Sequence, residues 1–298
     1  LSLAPLQKRH VGRLIADTLH TTPGAVRELT ALCLEKTGGN PFFLNQLLQT
    51  LHESECITFD AQVTGWRWDL ARIRAAGITD NVVELMVGKI GSLEARTQRA
   101  LRLAACIGSK FDLATLAIVN ECTATEARDA LWPGVQAGLI VPLGGDYKAL
   151  QEEDASRAGA PRRITFRWLH DRVQQAAYSM IAGDARLGAH YTVGRLMLAS
   201  LREGSGEERL FGIVGHLNRA SSLITRAEER EELARLNLQV GRKAIASAAY
   251  GPAARFLERG LALLGEDRWP AHYALTLALS DEAANAFLLL PDFAAMDR

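Results

Sequence analysis

Apolar residues recur at helical spacing near the start of the chain, and turn-forming residues interrupt them twice. One apolar stripe covers residues 14–19 and ends at a Thr-Pro-Gly sequence at 22–24, while a second covers residues 26–33 and ends at Gly38 and Gly39. Apolar side chains spaced three and four apart share one face of a helix, so this pattern predicts two short amphipathic helices.

A third helix is predicted to begin at Asn40. Asparagine is a favoured N-cap, Pro41 suits the first helical position, and apolar residues follow at helical spacing over residues 43–51. Residues 57–70 then predict a short hairpin with Thr64 and Gly65 as its turn. Residues 1–72 are therefore expected to form a strand remnant and a small helical domain.

A change from helical to strand spacing marks the second predicted domain, residues 78–182. Thr123 and Glu126 have the spacing of a capping box, and Gly138 is expected to stop the helix that they begin. The helices are predicted over residues 79–90, 92–107, 111–119 and 124–137, and the strands over residues 139–143 and 164–168. Helices followed by a hairpin with a long polar tip, here residues 144–163, indicate a winged helix.

Residues 185–298 are predicted to be almost entirely helical. A helix over residues 233–248, a junction at residues 250–252 and a partner helix to about residue 264 form one hairpin, and the same arrangement begins again at Tyr273. A unit of about 42 residues with two helices is typical of solenoids of the tetratricopeptide type. We expect the array to continue beyond Arg298.

Composition narrows the possible partners. The chain has 298 residues, 48% of them hydrophobic, and equal numbers of acidic and basic residues, so no net charge draws it to nucleic acid or to an anionic membrane. No apolar stretch approaches the roughly 18 residues of a membrane span. Four isolated cysteines suggest reduced thiols and a cytoplasmic location. An apolar start at Leu1, without an initiator Met, suggests part of a longer protein.

No complete active site is found in the sequence. It has no Gly-x-x-x-x-Gly-Lys-Ser/Thr loop for nucleotide phosphates, and the nearest candidates, around Lys89 and Lys110, lack an essential glycine or the Lys-Ser/Thr ending. A Gly-x-Ser-x-Gly elbow and a His-Glu-x-x-His pair are also missing. We therefore predict no catalytic residue and no metal ligand in this chain.

Two short motifs allow both a structural and a functional interpretation. Gly-Gly-Asn-Pro-Phe-Phe at residues 38–43 and Trp-Leu-His-Asp-Arg at residues 168–172 each begin a helix. Such residues can serve only as turns and caps. Alternatively, helix N-termini with unpaired N–H groups suit a nucleotide or its phosphate, and an imidazole beside one is well placed to contact an anion.

The chain resembles the signal-transduction ATPases with numerous domains, the STAND branch of the AAA superfamily. More closely, it resembles the ATPase-associated region of bacterial hybrid proteins that carry a serine/threonine kinase domain before this region and a sensor histidine kinase of a two-component system after it. The residues that carry this resemblance are residues 3–6, 15–19, KTGGNPFFL at 36–44, WRWDL at 66–70, TDNVVELM at 79–86, residues 104–108 with 111–113, and HDRVQQAAY at 170–178.

The resemblance implies a nucleotide switch whose ATP/ADP-binding core, with its phosphate loop and Mg²⁺ ligands, precedes residue 1. Residues 1–6 would end that core, and residues up to 72 would form its helical lid. Nucleotide-binding residues would be Gly39, Asn40 and Pro41 in the lid, with Pro41 near the adenine, and His170 and Asp171 in the winged helix. His170 would contact the β-phosphate of ADP, while Asp171 would position it or cap its helix; Leu169 replaces the methionine of the related Met-His-Asp motif.

The partners implied by the resemblance are the nucleotide-binding core and kinase domains of the same protein, with a protein or small molecule bound by the helical repeats. Two alternatives stay open. A helical-repeat scaffold would bind a partner without any switching. A winged-helix DNA-binding regulator is disfavoured, because the predicted recognition helix carries Glu126 and Asp129 against a single Arg128.

Overall fold

The computed structural model describes residues 4–62, 64–75, 79, 81–144, 164–201 and 207–290. These residues are mainly helical with a few short strands, which confirms the predicted mainly α fold. No helix in the described ranges has both the length and the apolar composition that crossing a bilayer requires. The predicted wing tip and the second repeat junction at residues 291–292 lie outside the described residues.

The N-terminal region contains a helical core and one β-hairpin. Its elements are α1 (Lys8–Thr18), α2 (Arg27–Thr37), α3 (Pro41–Glu53), β1 (Ile57–Asp60), β2 (Gly65–Trp68) and α4 (Leu70–Ala75). The two strands pair antiparallel, with Gly65 opposite Asp60. Gly65 was predicted to lie in the turn, but it belongs to strand β2. Helix α4 was not predicted.

The second region has the element order of a winged helix. Its elements are α5 (Val82–Gly91), α6 (Ala95–Ile107), β3 (Lys110–Asp112), α7 (Leu113–Val119), α8 (Ala124–Gln136), β4 (Ile140–Leu143), β5 (Thr165–Trp168) and α9 (Asp171–Ser179). Strand β5 lies between β3 and β4 and is antiparallel to both. The predicted capping box is confirmed: Thr123 Oγ1 accepts from the Glu126 backbone N–H at 3.2 Å, and the Glu126 carboxylate accepts from the Thr123 N–H at 2.8 Å.

Two predicted helix starts in this region are wrong. Phe111 lies in strand β3, paired with Phe166, and the helix begins only at Leu113, because the Asp112 carboxylate accepts from the Thr115 backbone N–H and caps the helix there. Ser92 ends α5 instead of starting α6. Helix α5 is capped by Asn81, and Asp80, which was predicted to share that role with Thr79, lies outside the described residues.

The C-terminal region is a succession of packed helices. They are α10 (Gly183–Ala199), α11 (Glu207–Arg219), α12 (Ala227–Ala246), α13 (Tyr250–Leu264), α14 (Arg268–Ala271) and α15 (Tyr273–Leu288). Neighbours pack in the order α10, α11, α12, α13 and α15. The predicted junction at residues 250–252 is wrong, since these residues form the first turn of α13, where proline is tolerated. The chain turns at Ala248 instead, which has φ +57°.

Buried apolar residues form three clusters. The first lies within the N-terminal region, from Val11 to Ile73. The second fills the winged helix but also includes Phe43 from α3. The third fills the C-terminal region and includes Cys106 and Val119 of the winged helix. Each neighbouring pair of regions therefore shares part of a core.

Candidate functional site

A close backbone crossing fixes the position of the first motif. The Leu6 backbone N–H donates to the Gly39 carbonyl at 2.8 Å. Gly39 has φ +77°, and a β-carbon placed there would lie 2.3 Å from the Leu6 carbonyl oxygen. Both the left-handed backbone and the lack of space require glycine. The extended residues that lead into α1 are thus held against the turn that starts α3.

Asn40 and Pro41 begin α3 as predicted. The Asn40 side-chain oxygen accepts from the Phe43 backbone N–H at 3.1 Å, and Pro41 occupies the first helical position. Both residues are exposed, while the Phe43 side chain is 4% exposed and packs in the winged-helix core. Burial of Phe43 therefore anchors the start of α3 on the winged helix and leaves the proline face accessible.

His170 caps helix α9 directly after strand β5. The strand end is fixed by Trp168, whose indole N–H donates to the Gly108 carbonyl at 3.1 Å. The His170 Nδ1 accepts from the Arg172 backbone N–H at 3.1 Å, so in the neutral ring the proton is on Nε2. The cap of α9 is therefore the imidazole of His170, and Asp171, exposed in the first helical turn, does not supply it.

The structure brings the two motifs together through one ring contact. Phe42 lies against His170 with 4.3 Å between ring centroids and 12° between ring planes. Phe42 was not among the predicted site residues. The sequence signal that could have found Phe42 was the pair of phenylalanines after Pro41. In the structure, Phe43 is buried and Phe42 is only half-buried.

A polar contact beside α3 adds to this docking. The Lys89 ammonium of α5 donates to the side-chain oxygens of Gln46 at 3.3 Å and Gln49 at 3.1 Å. Burial lowers the pKa of Lys89, and the negative charge of Glu53 partly opposes that shift. The contact pairs a partly desolvated cation with amide oxygens, so it helps to fix α3 relative to the winged helix.

The arrangement has the chemistry of an anion-binding edge. The starts of α3 and α9 are adjacent, and helix N-termini carry partial positive charge and unpaired N–H groups. The Nε2–H of His170 adds a donor, and no partner for it occurs among the described residues. No group of three or more metal-ligating side chains occurs there either. Two surface clefts, of about 270 Å³ within the N-terminal region and about 490 Å³ between α3 and α5, are not lined by any of the predicted site residues.

The surface of α8 does not suit DNA. Arg128 is paired with Asp129 at 2.9 Å, and Glu126 is held in the capping box. Recognition helices of DNA-binding proteins present unpaired basic and polar groups to phosphates and base edges. The described part of this helix offers no such basic surface.

Comparison with known proteins adds a distant relationship. No family model matches the chain. It is 26% identical over 339 aligned residues to hybrid signal transduction histidine kinase G of Dictyostelium discoideum, a match that covers 99% of this chain. The chain spans about 10% of that relative's length. The similarity supports a distant relationship to signal-transduction kinases.

Proposed function

We propose that this chain is the regulatory part of a nucleotide switch in a signal-transduction protein. The N-terminal helices act as a lid, the winged helix closes against it, and the C-terminal helices act as a sensor region. ATP or ADP, with Mg²⁺, is held by a separate nucleotide-binding core, and kinase domains of the same protein receive the signal. The relationship to a hybrid histidine kinase supports the signalling part of this proposal.

The contact between Phe42 and His170 carries the proposal. It joins the lid motif to the winged-helix motif, so that Pro41 and the His170 Nε2 lie at one edge. In the switch, Pro41 would contact the base, and His170 would donate to a phosphate oxygen. The residues fit such a group, because Pro41 is exposed and the Nε2–H of His170 has no partner among the described residues.

The switch works through differential affinity. A ligand shifts a conformational equilibrium only as far as it binds one state better than the other. A hydrogen bond to a charged phosphate contributes roughly 1.5–3 kcal/mol. Because 1.4 kcal/mol is a tenfold factor, this single contact biases the closed state at least tenfold. The ring contact of Phe42 holds His170 in the orientation that makes the contact.

The experiment is titration calorimetry of ADP with the whole protein that carries this segment. Pro41→Ala and His170→Asn test the two motifs, and asparagine keeps the helix cap while it removes the imidazole. Pro23→Ala and His20→Asn are matched controls at exposed positions of the N-terminal region. We expect at least a tenfold loss of affinity in each test variant and less than twofold in the controls.

The alternative is a scaffold in which the helical regions bind a partner protein and no nucleotide is sensed. It predicts the same ADP affinity in all four variants, with folding intact by circular dichroism. That result would overturn the nucleotide switch and leave both motifs as helix caps.

A further inference from the structure

Helix α9 links the candidate site to the C-terminal region. His170 caps its N-terminus, and Tyr178 lies in its last turn. The two residues are eight positions apart, which corresponds to about 12 Å along the helix. The buried face of α9, formed by Val173, Ala176 and Ala177, packs in the winged-helix core. A displacement at one end of this helix is therefore carried to the other.

A buried chain of hydrogen bonds begins at Tyr178. Its hydroxyl lies 2.9 Å from Nε2 of His190 on α10, and Nδ1 of His190 lies 2.8 Å from Nδ1 of His216 on α11. The backbone of Ile107, at the end of α6, lies close to His216 and partly offsets the lowering of its pKa by burial. His190 and His216 are 2% and 5% exposed. The chain thus connects three helices, α9, α10 and α11, across the boundary between winged helix and C-terminal region.

One assignment of protons satisfies all of these contacts. With the proton of the neutral His216 ring on Nε2, its Nδ1 is left as an acceptor for His190. His190 then donates from Nδ1, its Nε2 accepts, and Tyr178 donates its hydroxyl proton. Each member has one defined role, so removing any of them leaves a buried polar atom without a partner.

A second contact joins the same two regions. Arg209 of α11 lies 3.4 Å from the Asp112 carboxylate, which also caps α7. Ile107 and Tyr178 pack against both the winged-helix core and the C-terminal core. The two regions therefore share a packed interface, and the hydrogen-bond chain is a buried polar part of it.

We propose that the Tyr178–His190–His216 chain is a regulatory link, through which movement of the C-terminal helices displaces α9 and changes the position of His170. The link rests on the proposed function for its role in nucleotide sensing. Separating any pair in a buried hydrogen-bond chain leaves unpaired polar groups at low dielectric, so partly broken arrangements are costly. A movement of α10 against α11 that breaks the chain releases the C-terminal end of α9 and loosens the whole helix.

The test compares two tyrosine variants by hydrogen exchange in the whole protein without nucleotide. Tyr178→Phe removes only the hydroxyl that begins the chain. Tyr191→Phe is the matched control, because its hydroxyl also forms a hydrogen bond, to Glu229 at 3.2 Å, outside the chain. We expect the backbone N–H groups of Arg172 and Val173 to exchange at least fivefold faster in Tyr178→Phe and at the wild-type rate in Tyr191→Phe.

His216→Gln breaks the chain at its other end and is expected to have the same effect on Arg172 and Val173. Faster exchange confined to residues near Tyr178, with the start of α9 unchanged in both variants, would overturn the link.

ADP affinity of the Pro41→Ala and His170→Asn variants separates this proposal from the proposed function. If exchange at the start of α9 rises while Pro41→Ala and His170→Asn leave ADP affinity unchanged, the link is supported and the nucleotide switch is wrong. If the start of α9 does not respond while Pro41→Ala and His170→Asn weaken ADP binding, the switch is supported and the link is wrong.

Discussion

The Phe42 ring and the His170 imidazole lie nearly parallel, with 4.3 Å between their centroids, although one belongs to the N-terminal helical region and the other to the winged helix. Two contacts constrain the imidazole and leave one of its nitrogens available. Its Nδ1 caps α9, its face is covered by Phe42, and its Nε2 is left as a donor. The ring is thus oriented before any ligand arrives.

We predict a measurable coupling energy between these two residues. Aromatic pairs contribute about 0.5–1.5 kcal/mol beyond the area that they bury. A double-mutant cycle with Phe42→Leu and His170→Asn, measured by urea unfolding, should give a coupling in that range. Phe256→Leu replaces another half-buried phenylalanine, in α13, and should show no coupling to His170→Asn. If the changes in unfolding free energy from Phe42→Leu and His170→Asn simply add, the ring contact between these residues is contradicted.

Neighbouring glycines should differ sharply when changed to alanine. Gly38 has φ +58° with open space around its α-carbon. Gly38→Ala should therefore lower the free energy of unfolding by about 1–2 kcal/mol, from the left-handed backbone alone. Gly39→Ala adds the clash with the Leu6 carbonyl and should cost about 1–3 kcal/mol more. Equal losses of unfolding free energy would mean that Leu6 does not cross Gly39 as described.

The buried histidines predict loss of stability in mild acid. Burial first, then the nearby charges of His190 and Arg219, lower the pKa of His216 to about 4 from 6.5. The pKa of His190 is lowered too, mainly by burial and also by Arg219. The unfolded chain therefore binds protons that the folded chain does not between pH 6.5 and 4, so stability is lost as pH falls through that range.

For His216 alone, the linkage corresponds to about 2 kcal/mol of unfolding free energy between pH 7 and pH 5. Urea unfolding at both pH values checks this. His216→Gln should remove most of that pH dependence, whereas His20→Asn, at an exposed position, should leave it in place. If the pH dependence of the unfolding free energy is unchanged in His216→Gln, the lowered pKa of His216 is not its cause.

The turn between α12 and α13 offers a stabilising substitution. Ala248 has φ +57°, a conformation that costs an L-residue with a β-carbon about 1–2 kcal/mol. Ala248→Gly should recover about 0.5–1 kcal/mol after the added flexibility of the unfolded chain is counted. Ala284→Gly, on the exposed face of α15, should destabilise by about 1 kcal/mol. In thermal unfolding, the melting temperature should rise in Ala248→Gly and fall in Ala284→Gly.

Local signals in the sequence predicted much of the fold. The capping box of Thr123 and Glu126 and the start of α3 at Asn40 depend on residues three positions apart, so they could be read directly. Phe111 could not, because its place in β3 depends on pairing with Phe166 far along the chain. Ala248 gave no turn signal, since glycine is the usual residue at its conformation.

Local spacing indicated the candidate site as two separate motifs, and only the family resemblance implied that they share one nucleotide. Gly39, Asn40, Pro41, His170 and Asp171 each stand at a helix start, which local spacing indicates. That the two starts meet depends on Phe43 entering the winged-helix core and on Phe42 reaching His170, contacts that no local pattern specifies. The histidine chain was missed for the same reason, since its members come from three helices.

The most direct test of the account is hydrogen exchange of the whole protein with and without ADP. A shared site predicts that ADP slows exchange at both helix starts together, at residues 42–44 of α3 and at Arg172 and Val173 of α9, and that His170→Asn reduces the slowing at both. If ADP binds and protects neither start, or only one of them, lid and winged helix do not form one nucleotide-responsive site.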